Sequence, residues 1–172
     1  LEKHKFEKIN SIYWRNSNLN FKSVNSLIKS LDIKPINSWL KRIHECEDEK
    51  VLKYIVKDTA VQINNSENEL KLLWECCQIP DFVKKTYGHH FEIVQKVFEF
   101  LKSKSVKISN QYMKQKLSSI DKLDGNVDSI SNRIANVRTW SYVSNKTNWV
   151  ENQDYWIERT KYLEDKLSDR LH

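Results

Sequence analysis

Two glycines and two prolines in 172 residues are the tightest constraint on this chain. Sandwiches and barrels reverse direction often, and those reversals rely on residues that tolerate unusual backbone angles. A loop that cradles phosphate needs neighbouring glycines, because the backbone must approach the anion without a Cβ. Gly88 and Gly125 stand far apart and are followed by His89 and Asn126. A P-loop, a dinucleotide fingerprint and a nucleophile elbow are therefore excluded. Six Trp, seven Tyr and six Phe provide bulky core material, so an ordered all-α domain is the expectation.

The apolar spacing supports helices along most of the chain. Residues 1–21 read as an irregular or extended lead-in arm, with Phe6, Ile9, Ile12, Tyr13, Trp14, Leu19 and Phe21. Residues 22–172 read as one helical domain of about seven helices. Val24, Leu27, Ile28 and Leu31 share a face, and Pro35 stops that run. A second helix is expected from about Glu47 to Val61. Ser66 with Glu69 three later suggests a capping box ahead of Leu70, Leu73, Trp74 and Cys77. Further helices are expected over His89–Lys102 and, capped by Ser109, over Ser109–Leu123. Asn126–Asn145 and Gln153–His172 carry long stripes and should form a closing antiparallel hairpin across Lys146–Asn152.

The net charge of +6 favours acidic partners, nucleic acid first. Cys46, Cys76 and Cys77 cannot pair fully, which suggests a reducing, cytoplasmic setting with buried thiols. No apolar run approaches a membrane span. The start at Leu1 and the end inside an amphipathic run suggest a piece of a longer protein.

Metal ligation finds little support. His44, Cys46, Cys76, Cys77, His89 and His90 lack the spaced pairs of a structural zinc site. The Asp124-Gly125 turn fails as a calcium loop, because its first, third and twelfth places would be Ile120, Lys122 and Ser131. The carboxylates all fall where solvated helix faces are expected, which leaves no paired acid and base. No cofactor or metal is therefore expected within this chain, and no catalytic residue. The basic segments remain. Lys102, Lys104, Lys107, Lys114 and Lys116 lie in a stretch without an acid, a pattern that suits phosphates or simply a solvated face. Arg133, Arg138 and Lys146 accompany Trp140, Tyr142 and Trp149. Arginine with aromatics can hold phosphates and stack bases. Trp140 and Trp149 fit the core better than a surface.

The C-terminal third carries distinctive words: Leu123-Asp124-Gly125-Asn126-Val127-Asp128, Arg133-Ile134-Ala135-Asn136-Val137-Arg138-Thr139-Trp140-Ser141-Tyr142-Val143, Tyr155-Trp156, Glu158-Arg159-Thr160 and Leu163-Glu164-Asp165-Lys166-Leu167-Ser168-Asp169-Arg170-Leu171-His172. Trp14-Arg15-Asn16 and Leu73-Trp74-Glu75-Cys76-Cys77-Gln78-Ile79-Pro80-Asp81-Phe82 agree with them. Over most of residues 6–172 the chain resembles the helical region that follows the two motor domains in Suv-type DExH RNA helicases, alphaproteobacterial and mitochondrial. The resemblance implies an ATP-dependent, 3′-to-5′ RNA helicase as parent, with ATP and Mg²⁺ in motor domains that this chain does not contain. It implies helices that help to enclose single-stranded RNA, adds Arg159 to the candidate RNA contacts, and makes an exoribonuclease a possible partner. A scaffolding module that docks on a motor domain or nuclease is the alternative. A small unrelated helical enzyme ranks last.

Overall fold

A computed structural model describes residues 7–58, 60–103 and 106–172. Phe6 and Lys104 lie outside the described residues. Among the described residues the chain is all-α apart from one short parallel strand pair, and it forms two compact units, Leu1–Lys71 and Leu72–His172.

The first unit contains β1 (Ile12–Trp14), α1 (Val24–Leu31), β2 (Leu40–Arg42) and α2 (Glu47–Lys57). The stretch expected to be irregular or extended supplies β1. It pairs in parallel with β2, Tyr13 opposite Lys41. The chain then turns into α1, whose start is closed by the Ser23 hydroxyl accepting from the Ser26 amide. Buried Ser30 ties the preceding segment to α1. Its hydroxyl accepts from the Asn20 amide at 3.1 Å, and its carbonyl accepts from the Asn16 side chain at 2.9 Å. Leu27, Leu31, Val51, Leu52 and Ile55 form the apolar centre, as the helical spacing requires.

The expectation that every carboxylate occupies a solvated face fails at Glu49. Its side chain is only 1 % exposed and lies within a cage of arginines. Arg42, at the end of β2, reaches Glu49 at 3.1 Å and Asp32 at 2.9 Å. Arg15, just after β1, donates to both oxygens of Asp48 at 2.8 and 3.1 Å and stands 3.6 Å from Glu49. The bond from Arg15 to Asp48 holds the guanidinium pKa above its ordinary value. Two strands and two helices thus converge on one buried anion. The second oxygen of Glu49 accepts no hydrogen bond among the described residues, so the arginines carry its compensation.

The second unit contains most of α3 (Glu67–Cys77), then α4 (Tyr87–Lys102), α5 (Asn110–Ser118), α6 (Val127–Asn145) and α7 (Gln153–Leu171). Ser66 accepts from the Glu69 amide at 3.3 Å, as a capping box requires. The Glu69 carboxylate turns instead to the Asn64 amide at 2.8 Å, so the box closes two residues early. Ser109 and Asn126 cap α5 and α6 from Tyr112 and Ser129. α5 stops at Ser118, short of the expected Leu123. The reason lies in the next turn: Arg133 donates to the carbonyls of Lys122 and Asp124 and fixes the chain there in a non-helical path. Gly125 has φ of +105°, and a Cβ there would meet Ser129 Cβ at 3.0 Å, so this turn requires glycine.

α6 and α7 form the expected antiparallel hairpin. Ile130, Ile134, Val137, Trp140 and Val143 face Trp156, Leu163 and Leu167 across a buried seam. Trp149 is buried in the joint, and Asn148 and Asn152 on either side take left-handed backbone angles that asparagine tolerates. Both Trp140 and Trp149 are core residues, as expected. Tyr112 of α5 packs edge-on against Phe100 and Trp140, at 4.9 and 5.9 Å between ring centres. Cys76 and Cys77 are buried and Cys46 is half-buried, all as free thiols. Burial pushes the Cys76 pKa well above the ordinary thiol range. Among the described residues no helix is long and apolar enough to cross a membrane.

Glu49→Ala would leave two arginines facing an empty buried site. It is expected to destabilise the first unit by about 3–5 kcal/mol. Lys50→Ala, which breaks an exposed pair with Glu47, is expected to change stability by under about 1 kcal/mol. Urea unfolding of both variants measures the contrast, and equal effects would refute the role given to the buried carboxylate.

Candidate nucleic-acid interface

A cleft of about 740 Å³ opens between α5 and α7 in the second unit. Its geometry begins with the segment that enters α5. Ile108 bridges in parallel to Val150 in the hairpin joint, with Ile108 N–H donating to Trp149 O at 2.8 Å and Glu151 N–H donating to Ile108 O at 3.0 Å. The Glu151 carboxylate accepts from the first amide of α5, at Asn110, where a helix start favours negative charge. Asn110 then accepts from the indole N–H of Trp156 at 2.9 Å. These bonds set the angle between α5 and α7, and hence the width of the cleft.

Lys114 lines the α5 wall, and Arg159 and Tyr155 line the α7 wall. Lys114 is exposed, and Tyr155 is 57 % exposed with its ring edge-on to Trp156 at 4.8 Å. Arg159 is held from two directions. Asp121 accepts its Nη2 at 2.8 Å, and the Tyr162 ring lies 5.5 Å beneath its guanidinium carbon. Asp121 also accepts from Lys166 Nζ at 2.7 Å. This last bond is the largest cause that holds the Asp121 carboxyl below the ordinary carboxylate range, with the charges of Lys166 and Arg159 adding to it. Two cations on one carboxylate leave a net positive charge there. The guanidinium is pre-oriented, and one flat ring stands open beside it.

The nine basic residues singled out in the sequence separate into distinct roles. Lys114 and Arg159 come together in the cleft. Arg133 staples the turn before α6, adding a 3.5 Å pair with Asp124, and is 20 % exposed. Arg138 pairs with Glu164 at 2.7 Å across the hairpin and stays half-exposed. Lys146 lies over the rings of Tyr142 and Trp149 at 5.6 and 5.5 Å. Lys116 and Lys102 lie over Tyr112 and Phe98 at 5.3 and 5.7 Å. Lys107 is exposed in the segment that leads into α5. Lys104 is outside the described residues.

Sequence reasoning did not single out Asp121, Tyr155 or Lys166 as part of a site. A signal existed for two of them. Tyr155, Arg159, Tyr162 and Lys166 are spaced by four, three and four, which stacks them on one helix face. Asp121 gave none, because its partners lie 38 and 45 residues further on.

One cluster of metal-ligand type occurs among the described residues: Cys46, Asp48 and Glu49, with ligating atoms within 4.8 Å of one another. Arg15 and Arg42 already neutralise its two carboxylates, so a cation would have to displace a guanidinium there.

Because the folded Asp121 has a lowered pKa, its stabilising effect is present above the unfolded value of about 4 and is lost as pH falls through the folded value. Asp121→Asn is expected to lower stability at neutral pH and to flatten the decline below about pH 4. Urea midpoints measured across pH read this directly. An unchanged acid limb would show that Asp121 does not order the cleft.

Comparison of the chain with protein-family models, with curated proteins and with solved structures gives no match.

Proposed function

We propose that this chain is an RNA-contacting accessory region of an ATP-dependent RNA helicase of the Suv type, helping to enclose or guide a single strand. The observation that carries the reading is the α5–α7 cleft, where Lys114 and a clamped Arg159 stand beside the open ring of Tyr155. Lysine and arginine meet phosphates without regard to sequence, and an exposed ring stacks any base. The resemblance of the C-terminal words to that helicase region supports the same reading. Strand movement would come from ATP-driven motor domains elsewhere in the parent, which would also hold ATP and Mg²⁺. The chain itself acts as a wall rather than an engine.

Docking on a motor domain or an exoribonuclease is the second reading, and a separate observation favours it. Leu123 and Val127 at the start of α6 and Leu171 at the end of α7 are exposed. In an antiparallel hairpin these positions fall at the same end. Co-elution with the parent's motor domains that is lost in Val127→Glu would support this reading.

Fluorescence anisotropy with single-stranded RNA tests the first reading. Affinity is expected to fall steeply with salt, and Lys114→Ala is expected to reduce the slope of log affinity against log salt by about one. Absence of binding at low salt, or binding indifferent to salt, would overturn it.

A further inference from the structure

The first unit carries a second feature suited to a single strand, built on the parallel strand pair. Successive residues of a strand point to opposite faces, and Tyr13 is in register with Lys41. Trp39 directly precedes β2 and joins its ladder, its carbonyl accepting from the Ile12 amide at 3.3 Å. Trp39 lies in the turn that leads into β2, so its backbone adjoins Ile12 at the end of the ladder where Tyr13 and Lys41 pair. Both rings are open to solvent, Tyr13 by 60 % and Trp39 by 63 %. Strand and residue spacing puts their Cα atoms about 8 Å apart, within reach of neighbouring bases of one chain.

The charge around this face identifies what it can hold. A groove of about 400 Å³ beside it is lined by Tyr13, Lys34, Lys41 and His44, with no carboxylate among the described residues that line it. Glu45, next in sequence, is paired with Lys53 at 3.0 Å, and Asp32 is paired with Arg42. Large open rings in such a setting suit a ligand that combines flat apolar faces with a regular negative backbone. A buried core would not leave two large rings this exposed, and an aliphatic protein partner would not use the surrounding cations.

We propose that the Tyr13–Trp39 face is a base-stacking platform for single-stranded RNA, with Lys34 and Lys41 on the phosphates. The proposal rests on the reading that this chain contacts single-stranded RNA, but on none of the residues of the α5–α7 cleft.

Tryptophan emission isolates the site. Of the six tryptophans only Trp39 is exposed; Trp14 is half-buried and the other four are buried. Titration of the 172-residue chain with a short oligouridylate is expected to quench Trp39 emission, whereas inorganic polyphosphate is not expected to. Trp39→Phe is expected to abolish the quench and keep the affinity measured by anisotropy. Trp39→Ala and Tyr13→Ala are each expected to weaken binding about tenfold, with unchanged circular dichroism, and the quench is expected to survive Lys114→Glu. Unchanged affinity in both alanine variants overturns the platform, as does equal quenching by polyphosphate. Trp39 emission that shifts on dilution without RNA would show the face buried against a second copy, and would also overturn it. If the cleft reading fails instead, Lys114→Glu leaves affinity intact while Trp39→Ala still lowers it.

Discussion

Hydrogen-bonding side chains do in this chain what glycine does in many others. Five helix starts are closed by side-chain hydroxyls or an amide oxygen. Ser23, Ser66, Thr86, Ser109 and Asn126 each accept from an amide three residues on. Asn148 and Asn152 take the left-handed angles on either side of Trp149. A capping side chain of this kind contributes roughly 1 kcal/mol and also fixes where a helix begins. Helix starts in turn fix which faces meet. The α5–α7 cleft is a direct product: the Ser109 cap and the Ile108–Val150 bridge set the origin of α5 against the hairpin joint.

Each unit then rests on a charged node that joins distant segments. In the first, Glu49 draws together the ends of both strands through Arg15 and Arg42. Burying a carboxylate is unfavourable unless it is paired, so this arrangement specifies the geometry of the strands as much as it stabilises them. In the second, Asp121 joins the segment after α5 to two turns of α7. Here the node is partly open to water, and its effect is to aim Arg159 rather than to bury charge. One anion organises a core and the other organises a surface.

What could be read from the sequence follows from the range of each interaction. Periodicity and caps are local, so the helices, the hairpin and the core placement of Trp140 and Trp149 were legible. The parallel pair was not, because strands of three residues leave no periodic trace and their pairing spans a crossover. Glu49 looked like an ordinary acidic first-turn residue of α2, and only Arg15 and Arg42 from outside the helix make it buried. Arg133 looked as available as Arg138, yet it caps a turn while Arg138 remains half-exposed. Composition places cations near aromatics; only tertiary structure separates those that staple loops from those that line an open cleft.

The parallel pairing of β1 and β2 has a kinetic consequence. Parallel neighbours cannot be joined by a tight turn, and here the connection passes through α1. Their ladder closes a much longer loop than any helical turn, and contacts of that range form late. The exposed rings of Tyr13 and Trp39 are thus set in place by a non-local event, after the helices that flank it have already acquired their shape.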